Sequence, residues 1–113
     1  MAGFDDITTH AVVLATDEAT NNVMRHAHRG HPEKLLLIQC RIRPGELELR
    51  LCDQGPPFDI DAVPQFDPGE IRPGGRGVFI MRRLMDELEV LPREEVGNVL
   101  RMVKRFTATP AKS

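Results

Sequence analysis

Two short runs of alternating apolar residues flank a single Pro44-Gly45 pair, and this arrangement constrains the fold more than any other feature of the 113-residue chain. The runs, Lys34–Arg43 and Glu46–Asp53, predict antiparallel strands joined by a two-residue turn. With that turn, Ile42 faces Leu47, Cys40 faces Leu49 and Ile38 faces Leu51 on one side of the sheet. On the other side Arg41 meets Glu48 and Gln39 meets Arg50. Slipping one strand by a residue would send its whole apolar set to the other face, so the pattern specifies the register. Cys40 then lies on the apolar face and Cys52 on the opposite one. Burial of both as small hydrophobes is expected, with no disulfide between them. Asp53 shares the parity of Leu47, Leu49 and Leu51, so a carboxylate at the strand end points toward the core side. Burying one is costly unless it is hydrogen-bonded, so Asp53 is expected either to cap a turn or to serve a ligand.

The remaining elements follow from period and punctuation. Val12, Ala15, Ala19, Val23 and Ala27 recur at spacings of three and four, which predicts an amphipathic helix from about Asp6 to His28. Asp5 or Asp6 is placed to cap it, and Gly30 and Pro32 to stop it. From Gln54 to Gly75 proline and glycine replace periodicity, a long loop of the kind that is often functional. Val78, Met81, Leu84 and Met85 predict a second helix, and Glu87–Leu91 and Asn98–Phe106 predict two more strands. Helices alternating with antiparallel pairs suggest a two-layer α/β sandwich with both helices on one face, as a single domain over residues 1–113.

Composition narrows the function classes. Fifteen Lys and Arg against 17 Asp and Glu give a formal charge of −2, with no basic footprint for nucleic acid or an anionic membrane. No apolar run approaches the roughly 20 residues of a membrane span, and no signal-peptide pattern opens the chain. A cytoplasmic location is therefore expected, as two cysteines also suggest.

Three motifs carry chemistry. Asp53-Gln54-Gly55-Pro56-Pro57-Phe58 sits at a strand end. Gly74-Gly75-Arg76-Gly77 opens a helix, where free amide N–H groups and the positive end of the dipole suit phosphate, although a flexible loop before a helix start has the same composition. Glu18 and Asn22, four residues apart in the first helix, project from one face. Such a pair suits a base that activates a nucleophile and an oxygen ligand for Mg²⁺; a solvated pair is the plainer alternative. The histidines His10, His26, His28 and His31 show no convincing metal-ligand spacing and are expected to have surface or packing roles, with His26 placed four residues beyond Asn22.

Taken in order, Glu-x-x-x-Asn in a helix, Asp-x-Gly after a strand and Gly-x-Gly before a helix resemble the N, G1 and G2 boxes of the GHKL ATP-binding superfamily. The chain resembles most the bacterial anti-sigma-factor serine kinases, over about Ile7 to Phe106. The matching stretches are Asp17-Glu18-Ala19 through Asn22 to Arg25-His26-Ala27, then Asp53-Gln54-Gly55, Gly74 to Met81, and Leu84 to Glu87. The resemblance implies the Bergerat fold, a two-layer sandwich on a mixed, mostly antiparallel sheet. It implies ATP and Mg²⁺ as cofactors, Glu18 as general base, and Asn22 as the Mg²⁺ ligand. Asp53 would accept from the adenine amino group, and Gly55 would let the backbone approach the base. Gly74, Gly75, Gly77 and Val78 would lie along the phosphates with Arg76 as a charge partner, and His26 and Asn98 would lie close to the nucleotide. The loop Asp59–Pro73, within a punctuated segment of about 56–75, would be the ATP lid.

Three positions depart from that pattern. Few residues precede the first helix, so the N-terminal strand and helix usual in these kinases are expected to be missing. The open sheet edge this leaves would be covered by a partner or by a second copy in a homodimer. Pro57 stands where a second glycine is usual, and Gly97-Asn98-Val99 replaces a Gly-Thr-Thr pattern. The resemblance implies a protein-serine kinase that phosphorylates a STAS-type anti-sigma antagonist and sequesters a sigma factor. The alternatives are a non-catalytic, nucleotide-binding partner-switching module and the catalytic domain of a histidine kinase.

Overall fold

In a computed structural model of the chain, residues 5–62, 76–93 and 96–106 are described, the side chain of His26 excepted. Helix α1 spans Asp6–Asn22 and continues as one π-helical turn, Val23–Ala27. Asp5 caps its start, accepting from the Thr8 N–H at 2.6 Å. Strands β1 (Leu37–Arg43) and β2 (Glu46–Cys52) form the expected hairpin, with Ile42 opposite Leu47, Cys40 opposite Leu49 and Ile38 opposite Leu51. A single 3₁₀ turn, Ile60–Ala62, precedes α2 (Arg76–Leu84), β3 (Glu87–Pro92) and β4 (Asn98–Arg105). The sheet order is β1-β2-β4-β3, and each neighbouring pair is antiparallel. The expectation of a mixed sheet is thus corrected among the described residues: the connection through α2 carries the chain from β2 to a β3 that runs parallel to it, but β4 inserts between the two and is antiparallel to both, so no parallel neighbours form.

Alternation decides which residues meet the helices. Leu47, Leu49 and Leu51 of β2 and Leu100 and Met102 of β4 face α1 and α2, where Ala15 and Ala19 are fully buried and Val78 and Met81 complete the core. Alanines on that stripe let α1 approach closely. Each large side chain removed from water here contributes on the order of 1.5–3 kcal/mol. Asp53 and Asn98 continue the inward parity of β2 and β4, which brings both polar side chains to one end of the core.

The far end of the sheet is different. All seven residues of β1 are exposed, including Ile38 and Ile42, and a cleft of about 550 Å³ separates β1 from α1. Cys40, expected to be buried, lies exposed on the wall of this cleft, whereas Cys52 is buried. The strand pattern set the face of Cys40 correctly, but β1 is an edge strand that the helices do not cover. On the outer face of the sheet Arg101 donates to Glu48 at 2.7 Å and to Glu87 and Glu89 at 3.1 Å.

Candidate functional site

Helix α1 carries polar groups toward both α2 and the sheet. The Glu18 carboxylate rests on the first turn of α2: its Oε2 lies 2.9 Å from where a side chain at Gly77 would begin. The N–H groups there have no acceptor within the helix, and the dipole is positive. One turn further along α1, Asn22 lines a cavity of about 80 Å³ whose other polar walls are Asp53 and Asn98. Val23, Ala27, Phe58, Val90 and Leu100 make the rest of the lining apolar, with Pro56 and Pro57 completing it. A few placed polar groups in an apolar slot suit a flat heteroaromatic ligand.

Asp53 is buried at 5% exposure and is fully engaged on one oxygen. Its Oδ1 accepts from the Gly55 N–H at 2.8 Å and from the Asn98 backbone and side-chain N–H groups at 3.1 Å each. These donors account for a carboxylate at this depth, and they leave Oδ2 for a ligand. Asn98 in turn donates to the Pro56 carbonyl at 2.8 Å and accepts from the Phe58 N–H at 3.0 Å. It thereby ties the start of the long loop to the strand end.

Two glycines permit this packing. A side chain at Gly55 would begin 2.5 Å from the Ala27 Cβ, so the turn lies directly on the end of the π-helical segment. Gly97, at φ +138°, would place a Cβ 2.0 Å from the Asp53 carbonyl oxygen. Arg93 also donates to that carbonyl at 2.8 Å.

Glu18, Asn22, Asp53, Gly55, Gly77 and Asn98, all read from the sequence as site residues, therefore fall along one end of the molecule. Arg76 is exposed at the start of α2. Val78 is 3% exposed and packs in the core, so its contribution to a ligand would be its N–H in the first turn of α2. Residues 63–75, which include Gly74, Gly75 and most of the segment expected to be the lid, lie outside the described residues, as does the side chain of His26. Gly97, Arg93 and His28 were not read as site residues. The signal for Gly97 was its place immediately before Asn98. The signal for His28 was its position at the helix end, and the Gln54 N–H donates to its Nε2 at 2.9 Å.

Among the described residues no group of three or more His, Cys, Asp or Glu side chains is arranged to hold a metal ion. A Mg²⁺ ion needs no such cage when phosphate oxygens supply most of its ligands, and Asn22, a lining residue of the cavity, brings one amide oxygen of the type that donor set uses.

This fold and site define an ATPase domain of the histidine kinase-like type, and the chain belongs to that family, whose pattern matches residues 1–104. It is similar to the serine-protein kinase RsbW of Listeria monocytogenes serovar 1/2a, with 31% identity over 107 residues covering 88% of this chain and 68% of that protein. RsbW of Staphylococcus epidermidis is 32% identical over 112 residues, covering 91% of this chain and 68% of its own length. Among solved structures, the histidine kinase domain of the Erythrobacter litoralis EL346 blue-light activated kinase matches with a TM-score of 0.63 at 22% identity, a likeness of fold. That match covers 87% of this chain and 47% of the other, so the chain spans about half of that structure.

Proposed function

We propose that this chain is an ATP-dependent protein-serine kinase whose substrate is a STAS-type anti-sigma antagonist, and that it sequesters a sigma factor when the antagonist is phosphorylated. The observation that carries the reading is the spacing on α1: Glu18 rests on the α2 N-terminus while Asn22, one turn on, lines the Asp53 cavity. A nucleotide with its base against Asp53 and its phosphates toward Gly77 would pass both residues. The names of the RsbW relatives support the choice of serine as acceptor.

In this reading Asp53 Oδ2 accepts from the exocyclic amino group of adenine, and the apolar walls cover the ring faces. The α2 N-terminus and Arg76 offset phosphate charge. Glu18 takes the proton of the substrate serine as its oxygen forms a bond to the γ-phosphorus. The bond from that phosphorus to the β–γ bridging oxygen breaks, and ADP leaves. Asn22 would hold Mg²⁺ beside the phosphates, where the ion would supply charge neutralisation. Phosphoryl transfer requires little beyond positioning and electrostatics, so this set suffices.

The exposed β1 edge is our candidate surface for a second copy of the chain. Pairing β1 with itself in antiparallel fashion about Cys40 would set Ile38 against Ile42 and keep Arg41 across from Gln39. No arginine then meets its like. Among the described residues no helix is long and apolar enough to cross a membrane, which accords with the cytoplasmic site that a sigma factor partner requires.

The deciding experiment is calorimetric titration of Mg-ATP and Mg-ADP into wild type and Asn22→Ala. Micromolar binding that weakens sharply in the variant is expected. No binding at millimolar nucleotide would overturn the kinase assignment in favour of a partner-switching module that works without catalysis.

A further inference from the structure

Consecutive residues at the end of α1 grip consecutive residues at the end of β2. Ala27 packs on Gly55, and the next residue, His28, accepts from the N–H of Gln54. His28 is buried at 5% exposure, at the exit of the π turn, and its own N–H bonds back to the Val23 carbonyl at 2.8 Å. Because Nε2 accepts, the ring proton sits on Nδ1 and the imidazole is neutral in this arrangement. Gln54 has left the strand ladder, whose last β1–β2 pair is Leu37 with Cys52, so its N–H depends on the imidazole rather than on β1. The other polar groups of this turn are held by the loop and strand side. Lys34 Nζ donates to the Gln54 carbonyl at 3.3 Å, and Gln54 Oε1 accepts from the Leu35 N–H at 2.8 Å.

We propose that His28 is a positioning residue for the base-binding turn, and that through the Gln54 backbone it sets the preference of the cavity for adenine. This inference rests on the nucleotide-binding reading above. The Asp53 carboxylate precedes Gln54 directly, and hydrogen-bond geometry tolerates only a few tenths of an ångström before a bond to an exocyclic amino group weakens. Without the imidazole the turn has lost its polar tie to α1 and retains only the apolar Ala27–Gly55 contact. Recognition of the base falls, whereas the α2 N-terminus and its hold on the phosphates lie elsewhere and remain. Base selectivity, more than overall affinity, is therefore the quantity His28 controls.

The test is titration of Mg-ATP and Mg-GTP into wild type, His28→Leu and His28→Gln. Glutamine places its Oε1 where Nε2 stands and should keep the ATP-to-GTP affinity ratio of the wild type. Leucine removes the acceptor and should lower ATP affinity about tenfold, with a smaller change for GTP, so that the ratio collapses. An unchanged ratio in His28→Leu, with wild type binding ATP, would overturn this inference alone. No binding of either nucleotide by wild type would overturn the proposed function and this inference with it. Should His28→Leu fail to fold, amide hydrogen exchange of Gln54 in the wild type decides: protection is expected, and exchange at the rate of an open loop would overturn the bond on which the inference stands.

Discussion

Glu18 occupies the space that a side chain at residue 77 would need, its Oε2 lying 2.9 Å from where the Cβ would begin. A methyl group at 77 therefore displaces a carboxylate at the end of a flexible side chain and leaves the backbone alone. Gly77→Ala is expected to fold normally, bind nucleotide within a few-fold of wild type, and lose phosphoryl transfer. Glu18→Ala should abolish serine labelling while sparing binding, in keeping with the 10²- to 10⁴-fold that general bases typically contribute. Labelling with radioactive Mg-ATP and the antagonist reads both, and undiminished labelling in Glu18→Ala would remove Glu18 from the mechanism.

Gly97 is the opposite case, because the obstacle there is main chain. A Cβ at φ +138° meets the Asp53 carbonyl oxygen at 2.0 Å, which no rotamer relieves. Gly97→Ala should destabilise the protein by more than about 1 kcal/mol, and each kcal/mol corresponds to about 4–8 °C in Tm for a domain of this size. Scanning calorimetry measures it. A Tm equal to that of wild type would mean that the Asp53 strand end and the β3–β4 connection do not approach as described.

The outer face of the sheet supplies a pH dependence. The hydrogen bond from Arg101 holds the Glu48 carboxyl below its usual 4.5, desolvation opposes this, and Arg50 adds to the lowering. A carboxyl with a depressed folded-state pKa contributes stability that is whole above 4.5 and is lost as pH falls through the lowered value. On an open face that contribution is about 1 kcal/mol. Glu48→Gln should therefore be less stable than wild type at pH 7 and converge with it in acid, as pH falls from 4.5 through the lowered value, as followed by urea melts. A constant gap between the two across that range would argue against the pairing.

Self-pairing of β1 about Cys40 would bring the two Cys40 residues opposite each other, at a Cα separation compatible with a disulfide. Mild oxidation should yield a covalent dimer that Cys40→Ser does not form. Ile42→Lys should shift the molecular mass measured by light scattering from dimer to monomer. A monomeric wild type at high micromolar concentration would end this reading of the edge.

The hairpin register was fully legible because alternation along two strands and one short turn leave a single consistent solution. The inward aim of Asp53 came from the same parity. Coverage was not legible: Cys40 shares its face with buried leucines, yet lies on a strand beyond the reach of the helices, and nothing local to the residue reports which strand is the edge. The first helix was legible in extent but not in type. Ala15, Ala19, Val23 and Ala27 repeat by strict fours, a spacing that drifts about 40° per step on an α-helix. The π turn over Val23–Ala27 offsets part of that drift and returns Ala27 to the core side. The network around Asn98 was foreseen only as a polar side chain close to the nucleotide. Its partners, Pro56 and Phe58, come from a loop that has no period to read.

That π turn makes the site depend on chain length as much as on chemistry. Removing any one residue between Val23 and Ala27 would let the helix close as a regular α-helix and swing everything beyond it by about 100°. Ala27 and His28 would then face away from Gly55 and Gln54, though every side chain of the site was still encoded. In this segment a substitution changes one contact, whereas a deletion withdraws the whole helix end from the turn it supports.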